Sequence, residues 1–376
     1  MTLNTDWIKR MDNHKLHLGI DGTLSFLKST VNTENVVTGE KGYNTTRYPD
    51  GGNSMHTVEA FATHVWNISQ KLSMHDGIRL GYATTYSSVK DTEQFPFFGG
   101  GSQRKNNLTY SAAIGLNYLP SKTWKTAFSM STAYRVPNID NTSKVFDSKV
   151  GTVTIPNKHI RPEKTVSADL NITKHVADVL TWENVVYATY YFDAITTARG
   201  TFMGGSQMEY QGELCDVYTY TNAKTAVLWG ASSSLTAKPS RQTELYASFN
   251  YTYGRILSGG KRQPLDHIPP IYGRVGAAWL TPDGRFDMYA LYNGPKPIDD
   301  YNTDGEDNID YATVKGANGR GMPAWFTLNV KGSYNLNGSI ALQAGVENIL
   351  DTEYRVFSSG INAPGRNVYA AVRMTF

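Results

Sequence analysis

The sequence predicts an all-β protein, an antiparallel transmembrane β-barrel of about 14 strands. Three observations favour this fold: apolar and polar residues alternate with a period of two, the alternating segments last ten residues or more, and the connections are alternately short and long. Strands in soluble sheets average about 5–6 residues, whereas a strand that crosses a bilayer at a slant needs about 9–11. The chain shows no comparable helical periodicity.

Segment 16–26 illustrates the alternation. Its apolar residues fall on one face and its polar residues on the other, which is the pattern of a β-strand with two different faces. The same period recurs along the chain, and it predicts strands at 14–30, 56–71, 75–90, 107–119, 123–136, 163–177, 181–196, 222–238, 241–256, 269–281, 285–294, 322–336, 338–349 and 365–376.

The connections sort into two classes. Short links such as 119–122 and 281–284 contain turn residues, and the long links include 31–55, 137–162 and 197–221. Outer-membrane barrels have short periplasmic turns and long outer loops, so this alternation favours a barrel. A soluble β-sandwich or propeller is the alternative, but its strands should be shorter and its turns less regular.

Composition excludes several functions. The 376 residues carry 36 Lys and Arg against 33 Asp and Glu, a net charge of +3 that is too balanced for a nucleic-acid binder with a broad basic face. A single cysteine, Cys215, excludes an internal disulfide framework and a cysteine-based zinc site. No segment approaches the length of an apolar membrane helix, and residues 1–7 do not resemble a signal peptide. Either the protein is cytoplasmic, or the true N-terminus of a longer protein is missing.

Four stretches carry a family resemblance. They are the Arg-x-Pro-Asn stretch with Arg135, Pro137 and Asn138; the segment 156–163 with Pro162 and Glu163; the segment 345–355 with Glu347 and Asn348; and Gly365, Arg366 and Asn367 before the last strand. Together they resemble the barrel half of TonB-dependent outer-membrane receptors, and the resemblance extends over essentially the whole chain. Residues 145–148 and the long loop before Asn222 look most like receptors from Bacteroidetes.

The resemblance implies the C-terminal part of a 22-stranded barrel with a plugged lumen. Residues 1–376 would then form one partial barrel domain, with the plug, the TonB box, the signal peptide and eight strands absent. The implied location is the outer membrane of a Gram-negative bacterium. The implied partners are membrane lipid, the barrel-assembly machinery, the TonB complex through the missing plug, and an external small-molecule or haem-type ligand. Phe376 ends the last strand, and it would be part of the signal read by the assembly machinery.

The resemblance implies uptake of a scarce ligand: a siderophore, haem, a cobalamin or a glycan. The chain alone would be inactive in energy-coupled uptake, because the coupling elements of the family lie in the absent part. The alternative is a self-contained passive pore or adhesin of fourteen strands, an even number that permits closure. A soluble binding module is the third possibility. No serine–histidine–acid set has a recognisable spacing, so an enzyme is not expected.

A few residues suggest ligand chemistry. Asp300, Asn302 and Asp304 occupy calcium-ligating positions of the pattern D-x-[DN]-x-[DN]-G, but Tyr311 stands where that loop requires glutamate. Calcium is therefore the one cofactor considered. His159 suggests a haem ligand or, more simply, a surface histidine. His14 and His17 make a poor metal pair because they face opposite sides of a strand. Loop aromatics either form a ligand cage or pack the loops: Phe95, Phe97, Phe98, Tyr210, Tyr218, Tyr220 and Tyr301.

Overall fold

The computed structural model describes residues 1–43, 46–91, 101–144, 151–210, 212–223, 225–258, 261–303, 305–314 and 320–375. Within these ranges, one short helix, α1 (Ile139–Ser143), and two 3-10 turns accompany the strands. No helix among these residues has the length and apolar character needed to cross a membrane. The strands are β1 (Thr2–Met11), β2 (His14–Leu27), β3 (Asn32–Glu34), β4 (Lys41–Tyr43), β5 (Gly52–Asn67), β6 (Leu72–Ser88), β7 (Ser102–Ser121), β8 (Trp124–Arg135), β9 (Thr152–Ile155), β10 (Glu163–Val176), β11 (Leu180–Phe192), β12 (Ile195–Arg199), β13 (Gln207–Tyr210), β14 (Glu213–Asn222), β15 (Thr225–Ala237), β16 (Thr243–Ser258), β17 (Lys261–Pro264), β18 (Tyr272–Leu280), β19 (Gly284–Asn293), β20 (Lys296–Pro297), β21 (Thr313–Val314), β22 (Arg320–Met322), β23 (Trp325–Asn335), β24 (Ile340–Glu347) and β25 (Asn367–Met374).

One large antiparallel sheet contains the long strands. Each long strand pairs with the next one along the chain, in the order β1-β2-β5-β6-β7-β8-β10-β11-β15-β16-β18-β19-β23-β24-β25, and β17 extends β16 as a short hairpin. All fourteen predicted strands are present. The all-β, antiparallel class is therefore confirmed.

The described residues contain one long strand more than the fourteen that the sequence predicts. β1 precedes the first predicted strand and pairs with β2 along its whole length, from Thr2 opposite Thr23 to Met11 opposite His14. The path thus has fifteen long strands among the described residues. β1 lacks the regular alternation of the other long strands because Ile8 and Lys9 interrupt it.

The two faces of the large sheet differ as the alternation predicts. One face exposes apolar side chains in every long strand, for example Ile20, Ile78 and Val186, with exposed fractions of 54%, 58% and 50%. The opposite face carries charged and polar side chains that pair with one another across strands. This arrangement is the reverse of a soluble sheet, whose apolar face is covered by a second layer.

Ion pairs hold the polar face. The guanidinium of Arg79 on β6 lies 2.8 Å from both Asp21 on β2 and Glu59 on β5. On the opposite half of the sheet, Arg285 lies 2.8 Å from Glu244 and 2.9 Å from Asp287. These groups share the polar face, so ion pairs and not apolar contacts join the strands on that side.

Short and long connections leave opposite ends of the sheet. The short ones, such as 12–13 between β1 and β2 and 122–123 between β7 and β8, form one rim. The long ones form the other rim and contain three small sheets of their own: β3-β4, β20-β22-β21, and β12-β14-β13 with β9 parallel to β14. The sequence predicts loops in these segments, and the structure shows that they contain small sheets as well.

The dry core lies at the long-loop rim. Val153, Cys215 and Val217 are almost completely buried between β9 and β14, and the partly buried Phe202 and Met208 pack against them. Cys215 is therefore a packing residue of this core. The buried apolar cluster fixes the small loop sheet over the end of the barrel wall, where it shapes the candidate site.

Candidate functional site

A polar cavity of about 500 Å³ opens between the long loops. It lies between the loop before β5, helix α1, the small sheet of β9 and β14, Thr303 and the segment 305–311. Its lining consists of charged groups, hydroxyls and amides: Arg47, Asn138, Asp140, Asn141, Lys144, Thr152, Thr154, Thr197, Tyr218, Tyr220, His267, Thr303, Gly305, Glu306, Asp307, Asn308, Tyr311 and Ser358.

An ion pair joins two loops on one wall of this cavity. The Arg47 guanidinium lies 2.8 Å from Oδ1 of Asp140, and the Tyr48 hydroxyl donates to the same oxygen at 3.0 Å. Asp140 is in the first turn of α1, so the contact connects the loop before β5 with the loop after β8. Neighbouring Lys144 ends the helix with its side chain almost fully buried, and burial together with the Arg47 charge lowers the pKa of its ammonium.

A second set of contacts closes the other wall. The Tyr220 hydroxyl on β14 donates to Oε1 of Glu306 at 3.4 Å. Burial raises the pKa of Tyr220, and the negative charges of Glu306 and Asp140 raise it further, so the hydroxyl stays protonated and remains a donor. Glu306 is held in turn by its backbone N–H, which donates to Asp266 at 2.8 Å.

The buried carboxylate of Asp307 ties the segment 305–311 to its neighbours by hydrogen bonds. Asp307 accepts from the backbone N–H of His267 at 3.0 Å and from that of Asn302 at 2.9 Å, with only 1% of the residue exposed. Burial raises the pKa of the nearby Asp266 carboxyl to about 6, and the charges of Asp307 and Glu306 add to this effect. The cavity therefore offers both donors and acceptors on walls that hydrogen bonds hold in place.

The predicted motif residues lie next to the cavity. Arg135 donates to Glu163 at 2.6 Å, and Glu163 also accepts from the backbone N–H of Ile195 at 2.8 Å. Pro137 is fully buried, and Asn138 caps α1 in a reciprocal capping box with Asn141. Pro162 precedes β10, where its missing N–H costs no ladder hydrogen bond. These residues anchor the loop between β8 and β10, and only Asn138 among them lines the cavity.

The C-terminal motif closes the last long loop. The buried Asn348 side chain donates to the carbonyls of Thr352 and Pro364 and accepts from the Thr352 N–H, while its φ of 49° lies in the left-handed region. The Arg366 N–H donates to Asp351 at 2.7 Å, and a Cβ at Gly365 would lie 2.6 Å from the same carboxylate oxygen. Asn367 donates to Glu347 at 3.3 Å. The motif thus has a structural part in this loop, and Phe376 lies outside the described residues.

The described residues of the calcium pattern, Asp300 and Asn302, make contacts with different partners. Asp300 pairs with Arg255, and Asn302 is buried beside Asp307. Asp304 lies outside the described residues, and no group of three or more His, Cys, Asp or Glu side chains among the described ones could hold a metal. The calcium hypothesis stays a prediction, and so does the haem hypothesis for the exposed His159.

The described loop aromatics lie in different surroundings and do not form a single cluster. Tyr218 and Tyr220 line the cavity, Tyr210 packs against the core of the small sheet, and Tyr301 packs edge-on against Phe357 at 5.2 Å. Phe95, Phe97 and Phe98 lie outside the described residues, as does the stretch 145–148 that suggested Bacteroidetes, so that lineage stays a prediction.

Comparison with known families decides the identity. A family model described as "TonB dependent receptor-like, beta-barrel" matches residues 2–349. The chain belongs to this family. None of the curated proteins matches the sequence. TonB-dependent receptor barrels sit in the Gram-negative outer membrane, and their class is transporter rather than enzyme.

Solved structures of TonB-dependent receptors share the fold. The chain is similar to the copper transporter OprC (TM-score 0.77, 18% identity, covering 100% of this chain and 56% of that one). It is also similar to the FrpB iron transporter from Neisseria meningitidis, F5-1 variant (TM-score 0.70, 10% identity, covering 100% of this chain and 55% of that one). A third similar structure is the ferric-catecholate import receptor Fiu from E. coli K12 in its closed form (TM-score 0.67, 14% identity, covering 100% of this chain and 54% of that one). The chain therefore spans about half the length of the receptors that it matches.

Proposed function

We propose that this barrel supplies the membrane wall and part of the ligand-capturing surface of an outer-membrane receptor for a scarce external ligand. The observation that carries the proposal is the polar cavity at the long-loop rim, where residues far apart in sequence are held together. Arg47 and Asp140 are 93 residues apart, and Tyr220 and Glu306 are 86 apart. Such convergence of donors and acceptors is what a polar ligand requires.

In this proposal, different parts of the receptor capture the ligand, contact the membrane and couple uptake to energy. Outer loops capture the ligand, membrane lipid surrounds the apolar face, and the TonB complex acts through a plug domain. The barrel-assembly machinery would insert the wall and read its terminal strand. The copper, iron and ferric-catecholate cargo of the similar receptors supports import as the activity and leaves siderophores, haem, cobalamins and glycans as candidate ligands here.

Binding is the first test. Outer membranes from cells expressing the chain behind a cleavable signal peptide would be incubated with labelled ferric-catecholate chelate, haemin, cyanocobalamin or maltohexaose. We expect one of the four to be retained, and we expect Arg47→Gln and Asp140→Asn to weaken that retention at least tenfold. Arg161→Gln is the matched control, because Arg161 is also a loop arginine in an ion pair, 2.5 Å from Asp193, but lies outside the cavity lining. Equal retention by all variants would contradict the cavity as the site.

Uptake is the second test. Cells expressing only residues 1–376 should accumulate none of the four probes in a protonophore-sensitive manner. Protonophore-sensitive accumulation would show that the chain alone couples uptake to energy.

The membrane location is checked separately, because the chain should require detergent for extraction and should change its gel migration on heating.

A further inference from the structure

Two histidines meet on the apolar face of the large sheet, at the short-turn rim. His14 is the first residue of β2, directly after the turn 12–13, and His64 lies on the neighbouring strand β5. Nδ1 of His14 and Nε2 of His64 are 2.9 Å apart. Both belong to the outward row that elsewhere exposes Leu18 and Ile20, so they interrupt an apolar band with polar rings.

Asp76 on β6 orients one of the rings. It is the register partner of His64, and its Oδ1 lies 3.0 Å from Nδ1 of His64. An ionised carboxylate only accepts, so His64 carries its proton on Nδ1 and presents the lone pair of Nε2. A carboxylate behind a histidine is the usual support of a metal-binding imidazole.

Neighbouring groups complete a soft surface at this position. The His14 ring lies almost parallel to Trp66, at 5.7 Å and 17°. Met11 on β1 is the register partner of His14 and is 43% exposed. Directly opposed residues of an antiparallel pair have Cβ atoms about 5 Å apart, so the Met11 thioether is within reach of the same position. The group is thus two imidazoles with a thioether nearby, and imidazole is the ligand in it that suits a divalent late transition metal.

We propose that His14 and His64 bind a divalent late transition metal, with Cu²⁺ bound most tightly, and that water completes the coordination. The 2.9 Å between the two nitrogens is the length of an ordinary hydrogen bond, and it places both within reach of one ion. The preference for Cu²⁺ follows from the affinity order of nitrogen-donor sites for divalent metals, in which Cu²⁺ exceeds Zn²⁺. The metal takes the place of the hydrogen bond, and His14 then carries its proton on Nε2. Asp76 is a positioning residue on the far side of His64, not a ligand.

The site would join β2 to β5 at the rim, and it does not depend on the proposed uptake function. It would be tested on the purified full chain in detergent, with Cu²⁺ alone as the probe. We expect one tightly bound ion per chain with an electron paramagnetic resonance spectrum that shows two coordinated imidazole nitrogens. Zn²⁺ should compete at least tenfold less well, and tighter binding of Zn²⁺ than Cu²⁺ would overturn the proposed preference for Cu²⁺.

Three variants and one control locate the ion. His14→Gln and His64→Gln should each lower the affinity at least tenfold and remove one nitrogen from the spectrum. Asp76→Asn should weaken binding by about 10- to 100-fold but keep both nitrogens, as expected of a residue behind the ligand. His159→Gln, in an exposed loop histidine, should change neither quantity. A wild-type spectrum retained in the His14→Gln/His64→Gln double variant, with its heat-shifted gel migration intact, would overturn the proposal.

Discussion

The barrel wall and the long-loop rim are built on different physical rules. In the wall, neighbours along a strand point to opposite faces, so parity alone decides whether a side chain meets the apolar exterior or the polar interior. At the rim, Val153 and Val217 are buried together although 64 residues separate them in the chain, and β9 joins β14 in parallel. Local period therefore determines the wall, whereas the rim depends on long-range packing.

The largest effect should come from a charge on the apolar face of the wall. Val186 is the middle residue of β11 and is 50% exposed. Val186→Arg should cost about 2–4 kcal/mol of unfolding free energy, because an arginine at the bilayer midplane is costly. Denaturant unfolding in lipid vesicles measures the loss.

A matched control lies three residues further on the same strand. Thr189 faces the polar side, where its hydroxyl lies 3.0 Å from that of Ser167. Thr189→Arg should cost less than half as much as Val186→Arg, since the polar interior accepts charge. Equal costs at the two positions would show that the faces have been assigned wrongly.

The next effect concerns Asn348, at the boundary between the wall and the rim. Its side chain makes three hydrogen bonds, and a fourth joins its backbone N–H to Asn329. Asn348→Ala leaves the backbone groups of Thr352 and Pro364 without their side-chain partner and puts alanine, which tolerates the left-handed region less well than asparagine, at a φ of 49°; the change should cost about 1–3 kcal/mol. Hydrogen exchange of residues 350–366 should accelerate.

The conservative variants separate the two causes. Asn348→Gly relieves the backbone but loses the side-chain bonds, whereas Asn348→Asp keeps the acceptor for the Thr352 N–H. If Asn348→Gly protects the loop as well as the wild type does, the side-chain bonds contribute no more than the backbone relief that glycine supplies.

The contrast between wall and rim also explains which strands and contacts could be predicted from the sequence and which could not. All fourteen predicted strands exist because a period of two repeated over ten residues is a local signal. β1 was missed because Lys9 occupies the outward row opposite Leu16, and Ile8 lies on the other face. The resemblance led to Arg135, Glu163 and Asn348, but their partners Ile195 and Asn329 carry no sequence signal. The pairing of Arg47 with Asp140 could not be predicted, because it depends on where two distant loops pack.

A smaller effect should appear with pH at the rim. Burial raises the pKa of Asp266 to about 6 in the folded chain, above the ordinary value of 3.8. The folded state then binds the proton more tightly than the unfolded state does, so the stabilisation is full below pH about 4 and is lost as pH rises through about 6. Hydrogen exchange at His267 and Asn302, whose N–H groups donate to Asp307 in the same segment, should therefore be slower, after correction for intrinsic rates, at pH 5 than at pH 7. Asp266→Asn should remove most of this difference, and an unchanged difference would assign it to other groups.

The smallest effect should come from a surface ion pair of the rim. Arg161 and Asp193 lie 2.5 Å apart, but the Arg161 side chain is 68% exposed. Solvent screens such a pair, so Arg161→Gln should change the unfolding free energy by about 0–1 kcal/mol. The backbone N–H and carbonyl of Arg161 both bond to the Asn222 side chain, and these bonds survive the substitution. Asn222→Ala should therefore destabilise the loop more than Arg161→Gln does, as measured by proteolysis of intact cells. The opposite order would mean that charge, rather than backbone hydrogen bonding, holds this part of the rim.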